Sequence, residues 1–146
     1  MSVKGSIVEP LGLLHVVYQG VIKLDDARRE FRRLYTTPAY RAGMPEVCDF
    51  SQITELDLGF DEMLSFVRDA IAFHAAQGAI PTICIVATPN SAQHVLDMYA
   101  DLTHALSNDY PIYMVEGYPE VLALLELSRE DLAHFPEFCR REAHLI

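Results

Sequence analysis

The sequence predicts an α/β domain on a mixed, mostly parallel sheet of four to five strands flanked by helices, with a short helical extension at its C-terminal end. Three observations predict it. Short segments rich in β-branched residues alternate with longer segments of helical period, the pattern of strands joined by helical crossovers. Glycine and proline punctuate the joints. The hydrophobic share is 51%, enough for a packed core and unlike a disordered chain. No repeat, linker or low-complexity tract divides residues 1–146, so one domain is expected, with a core over about 10–127 and an extension over 128–146.

Residues 6–9 form a short first strand closed by Pro10 and free to run antiparallel to the rest. Residues 13–18 form a second, in which Leu14, Val16 and Tyr18 alternate with Leu13, His15 and Val17 before a turn at Gly20. From 24 to 36, Leu24, Ala27, Phe31 and Leu34 recur at helical spacing with arginines between them, and Pro38 ends the helix. Residues 45–49 are a buried strand. A long helix spans 60–77, with Asp61 and Glu62 at its positive end and Gly78 beyond its last turn. Its apolar residues cover more than one stripe. Residues 80–87 are a further strand. The next helix is capped by Asn90 or Ser91 and reaches Leu106. A last strand over 111–115 leads to a helix with Pro119 in its first turn. Ser128 to Asp131 read as a capping box that opens a final helix toward Phe138.

The formal net charge of −10 argues against nucleic-acid binding, which needs a basic face. Charge is split along the chain. Residues 23–41 carry a net of +3 from Lys23, Arg28, Arg29, Arg32, Arg33 and Arg41 against Asp25, Asp26 and Glu30, whereas residues 69–128 contain seven acids and no Lys or Arg. The two faces suit either ordinary solvation or complementary docking. The start of the chain shows no basic-then-apolar leader, no apolar run approaches the ~20 residues of a bilayer span, and three scattered cysteines suit a reducing compartment. A cytoplasmic protein without stable membrane association is expected.

The run Val47-Cys48-Asp49-Phe50-Ser51-Gln52-Ile53-Thr54-Glu55-Leu56-Asp57, followed by an apolar helix, resembles the STAS domain of anti-sigma-factor antagonists. Together with Tyr18 to Asp25, Thr37 to Arg41, Asp57 to Glu62 and Ile112 to Val115, the wider order is similar to the bacterial SpoIIAA-like (STAS/SEC14-like) proteins. The resemblance implies a strand that gives Asp-x-Ser, a turn, and a second Asp before a helix. True antagonists carry a phosphorylatable serine after that second Asp. Here Asp57 is followed by Leu58, Gly59 and Phe60, so no hydroxyl accepts phosphate there.

Candidate sites follow from strand ends, where open α/β sheets hold ligands. Asp49, Ser51, Asp57, Thr88, Asn90 and Ser91 form a possible ligand or partner surface; equally, Asp49 and Ser51 tie down a turn while Asn90 or Ser91 caps a helix. His94, Asp97, Asp101 and His104 share an arc of about 80° on one helix. They read as a solvated face, since four positions over about 15 Å cannot share one ion. Cys48 and Cys84 read as core residues. No catalytic motif stands out, so neither enzyme activity, a cofactor nor a metal is expected. The leading expectation is a non-catalytic protein-interaction domain that forms a homodimer through Met63, Phe66, Val67 and Ala70 of the long helix. The alternative is a carrier or sensor of a small apolar ligand, as the SEC14-like resemblance implies. A metal-dependent enzyme is the remaining option.

Overall fold

The computed structural model describes residues 2–88 and 93–139. The elements are β1 (Val3–Val8), β2 (Leu13–Lys23), α1 (Leu24–Tyr35), β3 (Glu46–Asp57), α2 (Phe60–Gln77), β4 (Ile83–Val86), α3 (Gln93–Leu106), β5 (Ile112–Val115) and α4 (Tyr118–Leu124), then a 3-10 helix over Arg129–His134. The five strands lie in chain order. β1 is antiparallel to β2, and every later pair is parallel. The mixed α/β sheet is thus as the alternation predicts. Asn90 and Ser91 lie outside the described residues.

Each crossover advances one strand in the same direction, so helices of one hand land on one face. Side chains alternate accordingly. Leu14, Val16, Tyr18, Cys48, Phe50, Ile83 and Ile85 face α1, α2 and α3 in the larger core. Leu13, Val47, Cys84 and Val86 point the other way, into a second core closed by Tyr118, Val121, Leu132, Phe135 and Cys139. A parallel sheet has to be covered on both faces. Leu132, Phe135 and Cys139, beyond residue 127, help to cover this face. The box at Ser128 does form, with the Ser128 amide 2.8 Å from Asp131 Oδ2. It opens a 3-10 helix, because Pro136 keeps Phe135 extended at φ −99°, ψ 158°.

Two strands run further than their local pattern suggests. β2 and β3 stay paired as far as Lys23 and Asp57, through register shifts between Val17 and Gln19 and between Gly20 and Val21. At both places β3 holds one extra residue, so its alternation slips and a strand reads as a loop. Gly20 does not end β2; its φ of +71° lets the backbone pass the irregularity, a conformation other residues rarely adopt. The segment from Asp49 to Asp57, expected as a turn, is thus a strand whose far half projects beyond β4. Its inward residue Leu56 and its neighbour Ile22 remain buried and wall one end of the interior.

Candidate functional site

α1 sits over β1 and β2, while α2 packs chiefly on α3. Between the two groups, above Cys48 and Ile85, the helical layer stays open. The result is a cavity of about 370 Å³ lined by all three helices and strands β2 to β4. An engineered apolar cavity of ~150 Å³ holds benzene, and ligand sites begin near ~300 Å³. At about 30 Å³ per water-sized unit the space suits a molecule of roughly a dozen heavy atoms. Phe31, Phe66, Met63, Val67 and Ile85 make most of its wall apolar.

The mouth lies between α1 and α2. Arg28 of α1 reaches across to Ser65 Oγ at 2.8 Å and Asp69 Oδ2 at 3.0 Å on α2. Aromatic contacts span the same gap: Phe31 meets Phe66 at 6.3 Å and Tyr35 stacks on Phe73 at 4.2 Å. The cations Lys23, Arg28 and Arg32 belong to this rim.

At the inner end sits Glu46, only 4% exposed. It opens β3 and points to the helical face because Leu14 and Ile83, its register partners, do the same. Tyr35 Oη donates to Glu46 Oε2 at 3.1 Å. Burial raises the Glu46 carboxyl from 4.5 to about 7, with the Tyr35 hydrogen bond pulling weakly the other way. His74 Nε2 lies 3.8 Å from the same oxygen. That is no ion pair: burial lowers His74 to about 4, so the imidazole is neutral wherever Glu46 is ionised. His74 Nδ1 is buried and has no hydrogen-bond partner among the described residues. A carboxyl perturbed by desolvation inside a cleft is what functional sites show. Sequence reasoning missed it, although an acid standing at the head of the apolar run Val47-Cys48 was the available signal.

A second buried polar group lies on the opposite face. Tyr118 Oη donates to Asp49 Oδ2 at 2.6 Å, so the His15 Nε2 at 2.8 Å from that hydroxyl must donate to it, which assigns the His15 tautomer. Ser51 donates to Asp49 Oδ1 through its amide and its hydroxyl, at 2.8 and 2.6 Å. The Cys139 thiol also hydrogen-bonds Tyr118. Ligand atoms of His15, Asp49 and Cys139 lie within 4.8 Å of one another, close enough to suggest a metal. The tyrosine hydroxyl, however, already sits between the His15 and Asp49 atoms at hydrogen-bond distance, and all four residues are buried. The cluster is a clasp that fastens the C-terminal segment to the sheet. Burial lowers His15 to about 4 despite the pull of Asp49, so it clasps as a neutral ring.

The residues singled out from sequence separate in space. Asp49 is wholly buried and anchors the clasp, so it offers no docking surface. Thr88 follows β4, whose Val86 pairs with Asp49. Asp57 lies eight positions along the strand from Asp49, on the order of 25 Å away, at the exposed end of β3. Met63 and Val67 are buried within the chain, and Phe66 and Ala70 line the cavity. Phe66 and Ala70 are only partly buried. Of the His/Asp stripe, His104 Nε2 meets the Tyr110 carbonyl at 2.9 Å and Asp97 accepts from Gln93 at 3.1 Å. The only close set of metal-capable groups among the described residues is the clasp. Burial raises the Cys48 thiol well above its ordinary value and Cys84 to about 11, so both are inert.

No helix among the described residues is long and apolar enough to cross a membrane. Comparison with protein-family models, with curated proteins and with solved structures yields no match to this chain.

Proposed function

We propose that this protein is a non-catalytic carrier or sensor that holds one small apolar molecule between its sheet and helices α1 to α3. The observation that carries this reading is the 370 Å³ apolar cavity, with the buried Glu46 carboxyl in its wall. The SEC14-like resemblance points the same way. Self-association through α2 draws less support, because Met63 and Val67 are buried in the chain.

The test is titration with an uncharged naphthalene fluorophore. At about 0.5 kcal/mol per heavy atom, within the usual range of ligand efficiency, a dozen atoms give about −6 kcal/mol and a Kd of tens of micromolar. Saturable one-to-one enhancement is expected in the wild type. Ala70→Phe, which fills the cavity from α2, should abolish it while raising Tm, as cavity filling does. Equal enhancement in both proteins, or a signal that never saturates, would place the dye elsewhere and defeat the proposal.

A further inference from the structure

The closed end of the cavity specifies what kind of apolar molecule fits, and this deepening rests on the cavity being a ligand site. Glu46 Oε2 has Tyr35 as its hydrogen-bond donor. His74 Nε2 stands 3.8 Å from the same oxygen, and its ring, lowered to about 4 by burial, brings no positive charge there. A buried carboxyl thus stands among phenol hydroxyls and hydrocarbon. Among the described residues no Lys or Arg pairs with Glu46; of the cations lining the cavity, Lys23, Arg28 and Arg32, Arg28 pairs with Asp69 through Nη2 while its Nε is buried and unpartnered.

A ligand that met this end with hydrocarbon would leave the ionised Glu46 with the Tyr35 hydroxyl and no counter-charge. A carboxylate would add a second anion and no donor. An ammonium group supplies both donors and the positive charge that the buried carboxyl lacks. We propose that the cavity selects a small apolar amine, its body against Phe31, Phe66 and Ile85 and its ammonium group on the Glu46 carboxylate.

The groups that face Glu46 are uncharged under neutral conditions. Tyr35 comes from α1, His74 from α2, Tyr99 from α3, Tyr18 from β2 and Cys48 from β3, with Tyr110 before β5. Burial first, and the Glu46 charge after it, raises the Tyr18, Tyr35, Tyr40, Tyr99 and Tyr110 hydroxyls and the Cys48 thiol, so they remain protonated. Glu46 is then the group whose ionisation sets amine affinity around pH 7.

The experiment is calorimetry with three ligands of one body: 4-phenylbutylamine, 4-phenylbutanol and 4-phenylbutanoate. At pH 8 the amine should bind about tenfold tighter than the alcohol, about 1.4 kcal/mol, with the carboxylate weakest. In Glu46→Gln the amine's advantage over the alcohol should vanish while the alcohol still binds. A readout on the wild type alone needs no variant to fold: amine affinity should rise about tenfold from pH 6 to pH 8 as the carboxyl, at about 7, loses its proton, and alcohol affinity should not. Carboxylate binding as tight as amine, or an amine preference that survives Glu46→Gln, overturns the selectivity. If all three bind equally, the cavity is a ligand site but an unselective one; if none binds, the underlying function fails with it.

Discussion

Glu46→Gln keeps the shape of the buried side chain and removes its charge, so its effect on stability isolates the cost of that charge. The folded state holds the Glu46 proton up to about pH 7, against 4.5 for the free side chain. The stability gained from this tighter proton is complete below pH 4.5 and is lost as pH climbs toward 7. Each decade of proton affinity is worth about 1.4 kcal/mol, so between pH 5 and pH 8 the wild type should lose about 2–3 kcal/mol that the variant does not. The two proteins should have similar stability at pH 5, and the variant should be the more stable by about 2–3 kcal/mol at pH 8. For a chain of this size that is a Tm difference of roughly 5–10 °C. Urea denaturation of both at half-unit pH intervals reads the effect directly. A difference that does not change with pH, or one that grows toward acid, would refute the assignment of Glu46 as an uncompensated buried acid.

Three other outcomes follow from the same geometry. Tyr118→Phe removes the hydroxyl that serves His15 Nε2 and Asp49 Oδ2; the two stranded groups should cost about 2–5 kcal/mol in chemical denaturation, and a loss under 1 kcal/mol would show that the clasp is not a stabilising network. Phe135→Ala empties the second core beside His15, whose ring lies 5.0 Å away, and should cost about 3–5 kcal/mol; a wild-type denaturation midpoint would mean the residues beyond 127 are dispensable. His15 and His74, both lowered to about 4 by burial, stabilise the fold while neutral, above pH 6.5, and that contribution is lost as pH falls toward 4. In the Glu46→Gln background, free of the opposing carboxyl, the acid limb of a stability profile should approach two protons taken up per molecule on unfolding, and a flat limb would contradict it.

What was legible in the sequence was local. The bounds of α2 could be read because Asp61, Glu62 and Gly78 mark its ends with charge and with a left-handed residue at φ +71°. β4 could be read because Ile83, Ile85 and Val86 form a dense β-branched run. The mixed sheet followed from element order and crossover rules. Where two residues of β3 oppose one of β2, period-two reasoning stopped short, and the strand past Asp49 looked like a turn. The part played by Phe135 and Cys139 was hidden for another reason. Their partners are far away in the chain; the Tyr118 contacts to His15 and Asp49 span 103 and 69 residues, and periodicity carries no information over that range. The cavity was only half visible. The doubly apolar α2 signalled a face in search of cover, and both a second subunit and an interior ligand satisfy that signal. Only the standing-off of α1 from α2 favours the interior.

Methyl NMR decides most directly whether that interior is occupied by ligand. Titration with 4-phenylbutanol should shift the resonances of Met63, Val67, Ile83 and Ile85, on the helical side of the sheet, and leave Val47, Val86 and Val121 on the opposite side unmoved. Shifts confined to the second group, or none at saturating alcohol, would contradict the account.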